Sequence, residues 1–98
     1  MYVRIARFEG AEGNQDETIA NVREQMKAGR GQPDAPPIKR ALLLVDRESG
    51  RGASVVFCDT EDDLRKADEF LSALQPGVAG GTRTSVELYE VGVDSDDL

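Results

Sequence analysis

The chain has 98 residues, enough for one small domain, and its 19 acidic residues against 12 basic ones give a formal net charge of −7. Nucleic-acid binding needs clustered lysine and arginine, so this charge balance argues against that class of partner. The sequence has no histidine, and its single cysteine, Cys58, rules out an internal disulfide. Because the commonest metal ligand is missing, we expect no metal site, and we expect no cofactor.

The first half of the chain predicts one strand and one helix. Residues 2–8 are rich in aromatic and β-branched side chains, as strands are, and a glycine-containing loop follows them. A helix then begins near Asp16, with acidic residues in its first turn, and ends at Gly29. Its apolar residues, Ile19, Val22 and Met26, recur at helical spacing. Two glycines and three prolines make residues 29–37 a linker.

The second half predicts two strands, a helix and a last strand. The strands occupy residues 38–46, 53–59 and 84–91, and a turn over residues 47–52 joins the first two. Thr60 is placed to cap the second helix, which buries Leu64, Ala67, Leu71 and Leu74 and stops at Pro76-Gly77. Residues 94–98 read as an acidic, frayed tail. The domain itself is expected to cover residues 1–93.

This order of elements, β-α-β-β-α-β, predicts an α+β, ferredoxin-like split βαβ fold. Its four strands form one antiparallel sheet in the order 4-1-3-2. Right-handed crossovers place both helices on one face of that sheet, which leaves the other face bare.

The predicted strands do not alternate between apolar and polar residues as a half-solvated sheet should. In residues 41–45, for example, every side chain is apolar. A bare apolar face of four strands is larger than a soluble monomer normally tolerates. We therefore expect a homodimer through the sheet face opposite the helices, with the two sheets closing into a barrel-like core.

Nothing in the sequence predicts a membrane partner. The longest uncharged apolar run, residues 41–45, is far below the roughly 18 residues that a membrane-spanning helix needs. Arg4 and Arg7 interrupt any apolar segment of the kind that a secretion signal contains. With a single cysteine as well, the sequence predicts a cytoplasmic protein.

Three segments also resemble the dimeric α+β barrel superfamily, and most closely its small domains that are similar to antibiotic-biosynthesis monooxygenases (ABM-like domains). They are YVRIARFEG, IKRALLLVDRESGRGASVVFCDTEDDLRKA and SVELYEV, and the resemblance extends over residues 2–93. It implies the same face-to-face dimer. It also implies a pocket between the sheet and the helices of each subunit.

The activities found in this superfamily differ in how well they fit the chain. Haem-degrading members have an asparagine on the first strand, a tryptophan at the end of the third and a histidine on the second helix. The resemblance places the first two at about Val3 and Cys58 of this chain, and none of the three residues is present. Its cofactor-independent oxygenases act on aromatic polyketides and commonly place tryptophan, histidine or asparagine in the pocket. This chain has no tryptophan or histidine.

Two sets of strand residues are candidates for the site. The predicted pocket residues are Val3, Ile5, Arg7, Ser54, Val56, Cys58 and Tyr89. The predicted dimer-interface residues are Tyr2, Arg4, Phe8, Phe57 and Glu87. Arg4 is expected to pair with Glu87 or Glu90 on the last strand, and Arg7 to reach the pocket mouth or to be paired structurally. Cys58 is a nucleophile or, more commonly for a buried thiol, inert packing.

Two functions remain after these exclusions. One is a homodimeric small-molecule-binding or structural module, whose ligand would be a small apolar or aromatic molecule. The alternative is a cofactor-independent, monooxygenase-like enzyme acting on an aromatic or polyketide-type substrate. We favour the first, because a pocket with no base that titrates near neutral pH is poorly equipped for catalysis.

Overall fold

The computed structural model describes residues 1–10, 15–29, 32–73 and 81–98. The strands are β1 (Tyr2–Glu9), β2 (Arg40–Val45), β3 (Gly52–Cys58) and β4 (Thr82–Glu90), and the helices are α1 (Gln15–Gly29) and α2 (Glu61–Ser72). The sheet has the order β2-β3-β1-β4, and every pair of neighbours is antiparallel. Read from the other edge, this is the order 4-1-3-2. The predicted ferredoxin-like fold is therefore confirmed.

Helix α2 is fixed at both ends by side chains. At its start, Thr60 Oγ1 accepts a hydrogen bond from the amide of Asp63 at 3.1 Å, which confirms the predicted cap. At its end, the guanidinium of Arg83 on β4 donates to the carbonyl oxygens of Leu71 and Ser72. A cation there satisfies free carbonyls and opposes the negative end of the helix dipole. The predicted stop at Pro76-Gly77 lies outside the described residues, as does Leu74.

The core lies between α2 and the middle of the sheet. Val56 and Cys58 of β3 pack with Leu64 and Ala67 of α2, and Tyr2, Ile38, Ala41 and Leu71 are partly buried around them. The described part of α1 adds little, since Gln15 is its one buried residue, Ile19 and Val22 are half-buried and Met26 is exposed. The apolar stripe predicted on α1 is therefore only partly covered.

The predicted tail over residues 94–98 contains one short turn. Residues Ser95–Asp97 form one turn of 3₁₀ helix, and Asp94 Oδ1 caps it by accepting the amide of Asp96 at 2.9 Å. Its side chains stay outside the core, with Leu98 95% exposed. Within the described residues, neither this turn nor α1 or α2 is long and apolar enough to span a membrane.

The β2–β3 hairpin sets the register of the sheet. Asp46 Oδ1 accepts the amides of Glu48 and Ser49, and Gly50 supplies the positive φ of 74° that the turn needs. At the start of β3, the strands approach so closely that a Cβ on Gly52 would lie 2.7 Å from Leu44 O. Only glycine fits there without moving the backbone.

The change Gly52→Ala should therefore lower the free energy of unfolding by roughly 1–3 kcal/mol, because the methyl group must push β2 and β3 apart. Urea denaturation of the two proteins measures the difference. The matched control is Gly92→Ala, since nothing lies within 4 Å of a Cβ at that position. Equal stability of the two variants would contradict the steric account.

Candidate functional site

The two faces of the sheet can be told apart by their contacts with α2. On β1, Arg4 binds Asp68 of α2, and on β3, Val56 and Cys58 pack against that helix. These residues define the helix face. Right-handed crossovers place α1 on the same side. Residues of the opposite parity form the other side of the sheet, which we call the open face.

The open face is a regular grid of three rows across four strands. In the order β2-β3-β1-β4, its rows are Arg40-Phe57-Val3-Tyr89, Leu42-Val55-Ile5-Glu87 and Leu44-Ala53-Arg7-Ser85. The seven apolar positions on β2, β3 and β1 form one continuous block. Leu44 is 49% exposed at its edge. In this single copy Ala53 is buried, and the other five residues of the block are half-buried.

A polar cluster borders the apolar block on the β4 side. Arg7 Nε donates to Glu87 Oε1 at 3.0 Å, and the Tyr89 hydroxyl donates to Glu87 Oε2 at 2.5 Å. On the β2 side, the guanidinium of Arg40 lies 6.0 Å from the centre of the Phe57 ring. The open face therefore has an apolar centre with charged groups at two opposite edges, an arrangement typical of protein interfaces.

The cluster shifts the acidity of its own members. The hydrogen bond from Tyr89, followed by the one from Arg7, holds the pKa of Glu87 below its usual value. The same hydrogen bond to a carboxylate raises the pKa of Tyr89. At neutral pH, Glu87 is therefore charged and Tyr89 is a neutral donor.

The helix face carries an ion pair between a buried arginine and a half-buried carboxylate. Arg4 is 2% exposed, and its Nε donates to Asp68 Oδ1 at 2.9 Å. Ser72 completes the group, because its hydroxyl donates to the same carboxylate at 3.2 Å and accepts from Arg4 Nη2 at 3.4 Å. The prediction that Arg4 pairs with Glu87 or Glu90 is wrong. Arg4 points to the helix face, and Arg7 is the residue that pairs with Glu87.

The register also sorts the predicted site residues. Of the pocket candidates, Ser54, Val56 and Cys58 lie on the helix face, while Val3, Ile5, Arg7 and Tyr89 lie on the open face. Of the interface candidates, Phe57 and Glu87 lie on the open face, while Tyr2, Arg4 and Phe8 lie on the helix face. The four pocket candidates on the open face were expected on the helix face. The three interface candidates on the helix face were expected on the open face. Both faces are apolar, and a shift of one residue exchanges them.

Cys58 has the properties of a packing residue. It is fully buried and lies against α2. Burial raises the pKa of its thiol, and the charges of Asp63 and Asp59 raise it further. A thiol that is protonated at neutral pH is a poor nucleophile.

An open groove of about 440 Å³ lies between the linker before β2 and helix α2. It is lined by Asp34, Ala35, Pro36, Pro37, Lys66, Glu69 and Phe70. None of the predicted pocket residues contributes to it. The signal in the sequence was Phe70, which is 45% exposed at a helical position beside the buried stripe.

Comparison with protein-family models and with curated proteins gives no match. The resemblance to ABM-like domains therefore rests on the sequence pattern, together with a fold that is compatible with it. No group of three acidic or cysteine side chains in the described residues is arranged to hold a metal ion.

Removing the partner of the buried arginine should destabilise the protein. We expect Asp68→Ala to lower the free energy of unfolding by about 2–3 kcal/mol, because it leaves the Arg4 charge buried and unpaired. The neighbouring change Glu69→Ala, at an exposed position of the same helix, should cost less than about 0.5 kcal/mol. Urea denaturation compares them. Similar losses in both variants would contradict the role given to Asp68.

The polar cluster should make the stability of the fold depend on pH. Because folding lowers the pKa of Glu87 from its ordinary 4.5, the cluster stabilises the fold above pH 4.5, and this stabilisation disappears as the pH falls through the lowered pKa. In an NMR titration of the Glu87 carboxyl carbon, Tyr89→Phe should raise the pKa of Glu87. Tyr2→Phe, on the helix face, should leave it unchanged. A pKa unaffected by Tyr89→Phe would show that the hydrogen bond is absent in solution.

Proposed function

We propose that this chain is a homodimeric binding module of the dimeric α+β barrel type, in which two copies associate through their open faces. The observation that carries the proposal is the continuous apolar block on that face. A strand residue of a soluble protein that faces water is normally polar, yet Leu42, Val55 and Ile5 fill three of the four positions of the middle row, beside Glu87. A second copy covers this row without requiring any other partner.

The size of the open face is that of a small interface. Four strands about 4.8 Å apart, with six residues of about 3.3 Å each, outline roughly 19 by 20 Å. Two such outlines come to about 760 Å², and side-chain relief makes the accessible area larger than this. The rest of the roughly 1,200 Å² at which specific interfaces begin would come from that relief.

A second argument is the modest core of one copy. Its buried apolar residues include the small side chains Ala6, Cys58 and Ala67. A chain of 98 residues buries a smaller fraction of its surface than a larger domain does. Apolar area covered between two copies would add to the stability of each.

Within the described residues, the groove beside α2 offers a surface for a small apolar or aromatic ligand. Its volume lies within the range of ordinary ligand sites. The exposed ring of Phe70 offers a stacking surface, and Pro36 and Pro37 face the same space. Lys66 and Glu69 provide polar contacts at its margin.

The binding module is favoured over the monooxygenase-like enzyme by the character of the helix face. The polar groups that β1 and α2 share there, Arg4, Asp68 and Ser72, are hydrogen-bonded to one another, and burial keeps the Cys58 thiol protonated by raising its pKa. None of these is poised as a base at neutral pH. The cytoplasmic location belongs to the same proposal, and a buried free thiol is compatible with a reducing compartment.

The proposal predicts a dimer at about 10 μM in sedimentation velocity and native mass spectrometry, a concentration at which a specific dimer of micromolar affinity or better is well populated. Val55→Lys should convert it to a folded monomer, because two lysines would be forced into the apolar centre. Val86→Lys, on the helix side of β4, is the matched control and should remain dimeric.

A wild-type monomer at this concentration would overturn the dimer.

The same native spectra test the ligand. A reproducible extra mass that leaves on denaturation, and that Phe70→Ala removes, supports the groove as its site. A dimer that carries no extra mass after incubation with 1-anilinonaphthalene-8-sulfonate would contradict the ligand-binding part alone.

A further inference from the structure

The open face carries its charges asymmetrically, and this restricts how a second copy can dock. When two stacked sheets pack with their strands aligned, a two-fold axis between them runs parallel or perpendicular to the strands. A parallel axis reverses the strand order in the partner, so that β2 lies across from β4 and β3 across from β1. A perpendicular axis places each strand across from itself.

A perpendicular axis is electrostatically unfavourable. Glu87 lies in the middle row of the grid, so this axis brings it face to face with Glu87 of the partner subunit. Like charges directly opposed across an interface are repulsive and disfavour that arrangement. At the opposite edge, Arg40 would meet Leu44 of the partner subunit and gain no charged partner.

A parallel axis brings opposite charges together. Arg40 then lies across from Tyr89 of the partner subunit, one row away from Glu87 of the partner subunit. Rows on one face are about 7 Å apart, a distance that an arginine and a glutamate span together. The aromatic ring of that Tyr89 also offers a surface for the guanidinium.

Side-chain size favours the same axis. A parallel axis places Arg7 across from Ala53 of the partner subunit, where the small side chain leaves room for a long one. The other two rows place Phe57 across from Val3 and Val55 across from Ile5, which are apolar pairs. With this axis, no open-face residue of β3 or β1 lies across from a residue of the same charge.

We infer that two copies pack with their two-fold axis parallel to the strands, so that β2 of each lies across from β4 of the other and Arg40 pairs with Glu87 of the partner subunit. This inference rests on the proposed homodimer and specifies its recognition contacts. The symmetry makes the contact occur twice. The polar clusters at the two edges then set the orientation, while the apolar rows supply the buried area.

Charge reversal tests this arrangement. Arg40→Glu and Glu87→Lys should each raise the dimer dissociation constant by about 10- to 100-fold, because each creates two repulsive contacts. A mixture of the two variants should form a heterodimer of near wild-type affinity, since the new carboxylate at position 40 meets the new ammonium at position 87. Mixing cannot repair damage within a monomer, so this rescue reports on the interface. Native mass spectrometry with one variant labelled with ¹⁵N identifies the heterodimer.

The control is Arg65→Glu, which makes the same charge change on the exposed side of α2. A dimeric wild type in which Arg40→Glu behaves like Arg65→Glu would overturn the parallel axis and leave the proposed dimer standing. Failure of the mixed variants to regain affinity would also overturn it. A wild type that is monomeric throughout the concentration series would overturn the dimer itself, and this arrangement with it.

Discussion

The strands of this chain are apolar on both faces, while its helices lie over only one of them and leave Val86 and Leu88 of β4 exposed there. Along a strand, successive side chains point to opposite sides, so an apolar run such as residues 41–45 supplies both faces at once. One set packs toward α2, and the other set forms the apolar rows of the open face. The proposed dimer would cover the second set, and the charged edges of the open face would orient the two copies.

Two arginines hold helix α2 on the sheet, and the apolar core beneath the helix is small. Arg4 reaches from β1 to Asp68, and Arg83 reaches from β4 to the last carbonyl groups of α2. Both contacts are made to the end of the same helix, and both are charge-assisted hydrogen bonds, which are stronger than neutral ones. They hold α2 over the sheet, where the core includes the small side chains Cys58 and Ala67.

The proposed dimer surface and the proposed ligand groove lie on different sides of the molecule. The open face combines apolar rows with Arg40 at one edge and the Arg7–Glu87–Tyr89 cluster at the other. The groove beside Phe70 lies on α2, on the other side of the sheet. A ligand in that groove would not compete with a second copy on the open face, so the two functions can coexist in one small domain.

The sequence by itself determined the order of elements, the sheet order, the Thr60 cap and the excess of apolar strand surface, because these depend on local pattern and on general rules of chain connection. Only the tertiary structure decided which parity faces the helices. With both parities apolar, pattern could not place Val3, Arg7 or Tyr89 on the open face, nor Arg4 against Asp68. The groove was equally hidden from the sequence, because it is formed by residues 34–37 and α2, which are distant in the chain. Contacts of that kind depend on how the elements pack and not on the residues within any one of them.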